Sequence, residues 1–376
     1  MGKNPRNVEY IREYNRKLFL RFLRSGEMSR SELARRMGVT RAATANIADE
    51  LLQEGYISQT DGAPVGRSAA PLKLRADCRY AIGVYLNRAG CTVGIVDICG
   101  GMHGVKELHL DGDTIEEKID PLVFVIQELI QNVKIPLEKI VGIGVSAPGP
   151  LDGENGTILN PPRFDLWHNV SIGMLLQQRL SVPVYVENNA TSLARFHQGK
   201  PEANGSEDFL LLLVDSGVGS GVISGGKVLK GAGYFTGELG HICIDRNGKP
   251  CDCGNTGCLE AYAAIPNLLQ GSGFPDWKGV IDSLPDERAN RLLQQEAEYL
   301  SIGIVSLTNL VCVDTVLLAG DILYGAEKLA PIVEEKVNQR SMRRGSIPIR
   351  VYPSYSGADV RVQAAADIAF GRFLLK

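Results

Sequence analysis

The chain has 376 residues, of which 44% are hydrophobic, and a net charge of −3 at neutral pH. A chain of this length buries a sizeable core and is expected to form more than one domain. No apolar run reaches the length of a transmembrane helix, and the charged N-terminus is not a signal peptide. These features exclude a membrane partner, and we expect a cytoplasmic protein.

The charge is unevenly distributed along the chain. Residues 1–79 contain 15 Lys and Arg against 9 Asp and Glu, a net charge of +6, whereas the remaining residues contain 25 against 34, a net charge of −9. A basic head attached to an acidic body predicts a nucleic-acid partner for the head alone.

The head begins with three amphipathic segments. Residues 7–25 carry an apolar stripe at helical spacing. Ser29 and Glu32 form a capping box that opens a second helix, which Gly38 ends. Thr40 caps a third helix that runs to about residue 54. A short helix, a glycine-containing turn and a second amphipathic helix are typical of a helix-turn-helix.

Two surfaces of the head are predicted to contact DNA. Small polar residues at the start of the third helix can approach base edges, where Arg41 suits guanine and Asn46 suits adenine. Residues 56–60 and 71–74 are predicted to pair as strands around a loop that resembles the wing of a winged helix. The alternative is a small helical interaction module that does not bind DNA. The predicted DNA contacts are Thr40, Arg41, Thr44, Asn46 and, in the wing, Arg67.

A cluster of metal-binding side chains lies between residues 241 and 258. Three thiols and one imidazole within eighteen residues are the ligand set of a closed, tetrahedral zinc site. Gly254 and Gly257 lie between the thiols, where the chain must turn sharply. The alternatives are unrelated cysteines, or a disulfide with one spare thiol; tight clustering in an apparently intracellular chain favours zinc. The predicted Zn²⁺ ligands are His241, Cys251, Cys253 and Cys258.

Two carboxylates accompany this cluster. Glu238 lies three residues before His241, and Glu260 lies two residues after the last thiol. A metal that fixes one nitrogen of His241 leaves the other for a ligand. Acceptors and a donor held together suit the vicinal hydroxyls of a sugar. Either glutamate alone is more typical of a solvated surface charge, so the clustering is what favours a binding site.

From residue 79 onwards strands and helices alternate, which predicts an α/β body in two lobes. We divide the chain into a winged helix-turn-helix domain (1–78), a first lobe (79–187) completed by the C-terminal helix (358–376), and a second lobe with the zinc site (188–357). The predicted strands lie near 81–84, 92–96, 105–110, 140–145, 182–186, 209–214, 315–319 and 349–352, and the predicted helices near 115–133, 287–311, 327–340 and 358–370, with a further helix ending near 198.

The Cys-x-Cys-Gly-x-x-Gly-Cys-x-Glu block beside Glu-x-Gly-His resembles the ROK family of repressors and sugar kinases, and the resemblance extends along essentially the whole chain. It implies two actin-like, ribonuclease-H-like lobes around a sugar cleft, and zinc at the four ligands named above. The implied sugar contacts are Asn188, Glu238, His241 and Glu260, with the loop Pro148-Gly149-Pro150 and Asn160 beside them.

The chain departs from the kinase members of that family at the positions that handle the nucleotide. The first phosphate loop, Asp-x-Gly-Gly-Thr in kinases, is here Tyr85-Leu86-Asn87-Arg88-Ala89. The catalytic base is replaced by Asn189, an amide that is no general base but can still hydrogen-bond a sugar hydroxyl. Asp215 places a carboxylate in the second phosphate loop, and Asp321 alters the adenosine loop.

We therefore expect a sensor and not an enzyme: a sugar-responsive transcriptional regulator of the repressor type. Its partners would be double-stranded operator DNA, a small sugar effector and further copies of itself, as a homodimer or homotetramer. Two alternatives remain at this point. One is an ATP-dependent sugar kinase that also binds DNA; the other is a zinc-stabilised scaffold that binds no sugar.

Overall fold

Three helices and a two-stranded hairpin form the described part of the head. A computed structural model describes residues 8–60, 70–88, 90–203, 205–231, 236–343, 346–355 and 357–375. Ser29 and Thr40 accept hydrogen bonds from the backbone of the helices they precede, and Gly38, with φ 67°, ends the second helix as predicted. The elements are α1 (Val8–Arg24), α2 (Arg30–Met37), α3 (Arg41–Gln53), β1 (Ile57–Gln59) and β2 (Leu72–Leu74), with β1 and β2 antiparallel.

The first lobe is built on a five-stranded sheet. The predicted strands and the predicted long helix are present, while the short hairpin β7–β8 and α5 had no clear sequence signal. The elements are β3 (Tyr80–Asn87), β4 (Gly90–Asp97), β5 (Met102–Leu108), α4 (Ile115–Val133), β6 (Ile140–Ala147), β7 (Leu151–Asp152), β8 (Thr157–Ile158), α5 (Ile172–Leu180) and β9 (Val184–Asn188). The sheet order is β5-β4-β3-β6-β9, with β6 parallel to both β3 and β9.

The second lobe repeats that topology. Its sheet order is β12-β11-β10-β13-β14, so the first three strands again form an antiparallel meander and the last two are parallel additions. Two copies of one strand order confirm the predicted two-lobed body. The elements are α6 (Asn189–His197), β10 (Phe209–Val214), β11 (Val218–Ser224), β12 (Lys227–Val228), α7 (Glu260–Ala263), α8 (Ile265–Leu269), α9 (Trp277–Asp282), α10 (Glu287–Thr308), β13 (Thr315–Ala319), α11 (Ala326–Arg340), β14 (Arg350–Pro353) and α12 (Ala358–Leu375).

Helix α12 returns to pack on the sheet of the first lobe. A Cβ atom at Gly83 would lie 2.1 Å from the carbonyl oxygen of Val362, and one at Gly144 would lie 1.8 Å from that of Ala365. Since no side chain fits at either glycine, backbone approaches backbone directly and the helix is held close to β3 and β6. The C-terminal segment thus completes the first lobe.

The head shares a hydrophobic core with α12. Phe19 and Leu51 of the head pack in one cluster with Ala366 and Phe370 of α12. Arg24 forms an ion pair with Asp367, donates to the carbonyl oxygen of Ile98 at 2.9 Å and lies over the ring of Phe370 at 4.6 Å. The described head is therefore packed against the body. None of the described helices is both long and apolar enough to span a bilayer.

Candidate functional site

A cleft of about 80 Å³ lies between the two lobes, where the loops after β3, β6, β9 and β10 meet. Ligands bind α/β sheets at these carboxyl ends of strands. All five residues predicted to bind sugar line this cleft, and so do Pro148 and Gly149, whereas Pro150 and Asn160 are not in its wall. The polar and loop residues around it are Asn87, Arg88, Pro148, Gly149, Pro162, Asn188, Asn189, Asp215, Ser216, Gly217, Glu238, His241 and Glu260.

The four predicted metal ligands lie together beside the cleft, and His241 is the one that also lines it. Their ligand atoms are all within 4.8 Å of one another. The Sγ atoms of Cys253 and Cys258 are 3.7 Å apart, as are Cys251 Sγ and His241 Nδ1. Zinc–sulfur bonds of about 2.3 Å in a tetrahedron require sulfur atoms roughly 3.8 Å apart, whereas a disulfide requires about 2.05 Å. The group therefore fits a tetrahedral metal ion and excludes a disulfide.

Local backbone geometry explains how this short segment gathers its thiols. Gly254 and Gly257 have φ values of 91° and 74°, in the left-handed region that glycine favours. A Cβ atom at Gly257 would lie 1.7 Å from the carbonyl oxygen of Asp245, so no side chain fits there. The backbones of Cys243 and Cys258 then pair as an isolated antiparallel β-bridge. The two turns predicted from the glycines are confirmed.

Glu238 and Asn188 face each other across Gly149. A Cβ atom at Gly149 would lie 2.8 Å from Asn188 Nδ2 and 3.2 Å from Glu238 Oε1, so the glycine keeps this space open. Asn188 Oδ1 caps α6 by accepting from the amide of Ala190 at 2.9 Å, which leaves Nδ2 as the donor. Burial, with a smaller contribution from Glu260, raises the pKa of Glu238, while His241 opposes that shift.

Two arginines cross the cleft to Glu260, and neither was predicted as a site residue. Arg88 donates to the carbonyl oxygen of Ser216 at 2.7 Å, and its Nη2 lies 3.6 Å from Glu260 Oε1. Arg163 lies 3.4 Å from the same oxygen and 2.9 Å from Asp252. Glu260 Oε2 accepts from the amide of Val218 at 2.9 Å. The positive φ of Arg163, 57°, marks a constrained loop that sequence periodicity does not reveal.

Asn189 lines the cleft, but its amide bonds inward. Its Nδ2 donates to the carbonyl oxygen of Leu86 at 3.0 Å, and its Oδ1 accepts from Ser146 Oγ at 2.8 Å. The side chain is 8% exposed. The amide thus joins β3, β6 and α6 at the base of the cleft, and a contact with sugar stays a prediction.

A second polar group lies beside the cleft, at the positions where the family resemblance implied nucleotide loops. Tyr85 is fully buried, and its hydroxyl has no hydrogen-bond partner among the described residues. Arg361 lies 5.4 Å from the Tyr85 ring and 2.9 Å from Asp321. Burial, aided by the charge of Asp321, raises the pKa of Asp215. Side chains of this chain thus occupy the region.

The start of α3 forms the exposed surface of the helix-turn-helix. Arg41 and Asn46 are exposed, and Thr40 accepts from the amide of Ala43 at 3.2 Å as the cap of the helix. The structure corrects the expectation for Thr44. Its side chain is fully buried and donates to the carbonyl oxygen of Thr40 at 3.1 Å, so it cannot reach a base. Arg67 lies outside the described residues.

Known proteins resemble the chain in both parts. The ROK family matches residues 83–371, and the MarR family matches residues 14–68. A xylose repressor of Caldicellulosiruptor bescii is 27% identical over 359 residues, which cover 89% of this chain and 90% of the relative.

Two solved structures resemble the fold. The crystal structure of a ROK family transcriptional regulator, a homologue of the E. coli MLC protein, aligns with a TM-score of 0.82 and 24% identity over 97% of this chain and 98% of its own. A ROK hexokinase from Thermus thermophilus aligns with a TM-score of 0.66 and 27% identity, covering 78% of this chain and 99% of the hexokinase. The hexokinase thus matches most of this chain, whereas the regulator matches nearly all of it. Since the family match spans most of the chain and agrees with the duplicated sheets and the Cys₃His cluster, this chain belongs to the ROK family.

Proposed function

We propose that this protein is a sugar-responsive transcriptional repressor of the cytoplasm. The observation that carries the proposal is the presence, in one chain, of a winged helix packed on α12 and of a cleft into which Asn188, Glu238, His241 and Glu260 converge. The similarity to a xylose repressor over nearly the whole length supports the same conclusion.

The cleft residues offer complementary hydrogen bonds to a sugar. Asn188 Nδ2 is a donor, the carboxylates of Glu238 and Glu260 are acceptors, and the imidazole of His241 supplies one more polar atom. A site of rigid donors and acceptors discriminates sharply between hydroxyl arrangements, because an unmatched buried polar group is costly. Such a cleft suits an effector defined by the positions of its hydroxyl groups.

Cys251, Cys253, Cys258 and Nδ1 of His241 would hold Zn²⁺. The ion would neutralise the thiolates and brace this wall of the cleft, with no role in chemistry at the effector. With Nδ1 directed at the ion, the opposite nitrogen of the ring, Nε2, faces away from it. The metal group and the sugar group would therefore share one imidazole, which ties sugar binding to the integrity of the metal centre.

Several side chains argue against phosphoryl transfer. Asn189 offers no general base, and its amide is engaged with Leu86 and Ser146. Tyr85 is buried, and Asp215 would oppose a nucleotide phosphate by its charge or by its bulk. The similarity to a hexokinase reflects a shared fold, which does not by itself imply a shared activity.

Helix α12 offers a short route from the cleft to the head. Arg361, near its start, contacts Asp321 of the second lobe, and Asp367 contacts Arg24 of the head. The two residues are six positions apart on the helix, a rise of about 9 Å. A sugar that changes the angle between the lobes would shift this helix and, in a homodimer, the spacing of the two heads on a palindromic operator. The sugar must favour one spacing, since equal affinity for both shifts nothing.

Gel-shift titration of operator fragments with a panel of sugars tests the proposal. We expect at least one sugar to change operator affinity about tenfold or more, and Glu238→Gln to abolish that change while leaving sugar-free DNA binding intact. Arg41→Ala should weaken specific binding by about 1–3 kcal/mol and relax base preference. No sugar effect on operator affinity, or steady ADP formation in a coupled kinase assay, would overturn the proposal.

A further inference from the structure

A second cavity, of about 230 Å³, adjoins the sugar cleft. The two cavities share Asn87 and Arg88 as lining residues, so these two residues lie between them. Arg88 donates to the carbonyl oxygens of Pro162 and Ser216 from this position. Rotation of this long side chain would break these hydrogen bonds and its contact with Glu260, and would open the cleft toward the second cavity without moving the backbone.

The second cavity combines an apolar wall with a polar rim. Phe164 and Trp167 stack with their ring centroids 5.4 Å apart and an interplanar angle of 11°, and both are largely buried. Leu166, which is 40% exposed, offers the accessible apolar surface of that wall. The rim is polar, because Asp111 and Asp165 place exposed carboxylates there. Apolar surface suits the C–H face of a sugar ring, and carboxylates accept from its hydroxyls.

The loop that forms this wall also reaches the sugar cleft. Pro162 lines the cleft, Arg163 contacts Glu260, and Phe164 lines the second cavity. Three consecutive residues thus lead from the cleft to the second cavity, and the left-handed φ of Arg163 constrains the turn between them. A ligand that fills both cavities would contact one continuous segment of chain.

We propose that the cavity behind Arg88 is a second sugar subsite, and that the effector is a disaccharide or longer glycoside with one unit in the cleft and the next beside Leu166. This inference rests on the proposed sugar-binding function and specifies its ligand class. Arg88, at the junction, is the residue that a linked second unit must displace or hydrogen-bond.

Isothermal titration calorimetry of the full-length protein tests the subsite with matched probes: glucose, xylose and galactose against their α- and β-linked 1,3- and 1,4-disaccharides, with 1,6-disaccharides added for the two hexoses. We expect at least one disaccharide to bind tenfold or more tighter than its component monosaccharides. Leu166→Trp, which fills the second cavity, should remove that preference and leave monosaccharide affinity unchanged. Leu310→Trp is the matched control, since Leu310 is 84% exposed and lies outside both cavities.

The outcomes separate the subsite from the function beneath it. Monosaccharides that bind as tightly as every disaccharide, unaffected by Leu166→Trp, would overturn the subsite and leave the proposed function standing. Failure of all probes to bind would overturn both. Should Leu166→Trp not fold, Asp165→Ala answers the same question at an exposed position; we expect it to weaken disaccharide binding at least threefold without changing monosaccharide binding, and equal effects on both would contradict the subsite.

Discussion

Asn188 and Asn189 are neighbours with opposite surroundings. The side chain of Asn188 caps α6 and keeps its Nδ2 toward the cleft, whereas both polar atoms of Asn189 bond to buried groups of the first lobe. One-residue displacement at a strand-to-helix junction turns the side chain from the ligand space to the lobe interior. The amide of Asn189 therefore has a structural role of its own, which is to bond to Leu86 and Ser146.

Replacing Asn189 with Asp tests whether changing this amide to a carboxylate is enough to restore a catalytic base. The carbonyl of Leu86 would lose its donor and face a carboxylate, so we expect a loss of about 1–3 kcal/mol of stability and no ADP formation. Urea denaturation and a coupled assay measure the two effects. Asn290→Asp, the same substitution at an exposed position of α10, is the control. Phosphoryl transfer by Asn189→Asp would contradict this account.

Glu296 is a fully buried carboxylic acid on α10. Neither of its oxygens has a hydrogen-bond partner among the described residues, and burial raises its pKa well above the usual value. A carboxyl group with a raised folded-state pKa favours the fold at low pH. That contribution is lost as the pH rises from the unfolded value, near 4.5, towards the folded one.

Glu296→Gln should therefore become relatively more stable than the parent as pH rises, by up to about 1.4 kcal/mol per pH unit above the unfolded pKa. Denaturation at pH 5 and pH 7.5 measures the difference. Glu298→Gln is the opposite control on the same helix, since Arg340 and Lys336 lower the pKa of Glu298. Its loss of stability should be nearly the same at the two pH values, because both lie above the unfolded pKa, near 4.5. A stability difference between Glu296→Gln and the parent that does not change with pH would contradict this, because it would mean that the carboxyl has the same pKa in the folded and unfolded protein.

Among the elements, the turn that holds the thiols would couple the proposed metal and sugar sites through one imidazole. His241 turns Nδ1 to Cys251, lines the cleft and lies in a short helical turn directly after Glu238. Leu259 and α7 follow the last thiol and pack into the core of the second lobe. The geometry of this segment therefore bears on both the metal and the sugar groups.

Cys253→Ser should lower metal affinity by more than the roughly 10–100-fold typical of losing an outer-shell partner, because Cys253 is itself a candidate ligand. We expect lower sugar affinity and a lower melting temperature that no longer responds to a chelator. Elemental analysis, calorimetry and melting curves measure these effects. Cys312→Ser, at an exposed cysteine outside the cluster, is the control. Unchanged sugar affinity in a metal-free Cys253→Ser protein would separate the two sites.

At the scale of the whole molecule, the head and the body meet on one helix. On one side of α12, Arg24 of the head contacts Asp367 and Phe370. On the other side, Val362 and Ala365 pack on the glycines of the first sheet. A helix packed on both sides transmits displacement because close-packed interfaces deform little. The two lobes meet in turn across the arginine contacts at Glu260.

Arg24→Ala tests this connection. We expect sugar-free operator affinity to change less than about threefold, while the sugar-induced change is largely lost, because the head no longer follows α12. The pair is partly buried and adds a cation–π contact, so a stability loss of roughly 1–3 kcal/mol is also expected. Arg21→Ala, on the exposed face of α1, is the control. An unchanged sugar response in Arg24→Ala would exclude this route.

The sequence alone was sufficient for features built from neighbouring residues. The helix caps at Ser29 and Thr40, the glycine turns of the metal cluster and the α/β alternation all depend on contacts within a few residues or on periodicity. The family resemblance extended this reading to the cleft, and the structure brings its residues together. The domain boundaries, the oligomeric state and the ligand roles remain predictions.

Tertiary structure alone decided the contacts between distant segments. Arg88 and Arg163 reach Glu260, Arg24 reaches Asp367, and Glu296 is enclosed without a partner among the described residues. Periodicity identifies which face of an element is buried but not which segment covers it, since that depends on how the lobes and α12 pack. The chain by itself therefore indicated most of the elements and the candidate metal-ligand set, while packing determined what crosses the cleft and what connects it to the head.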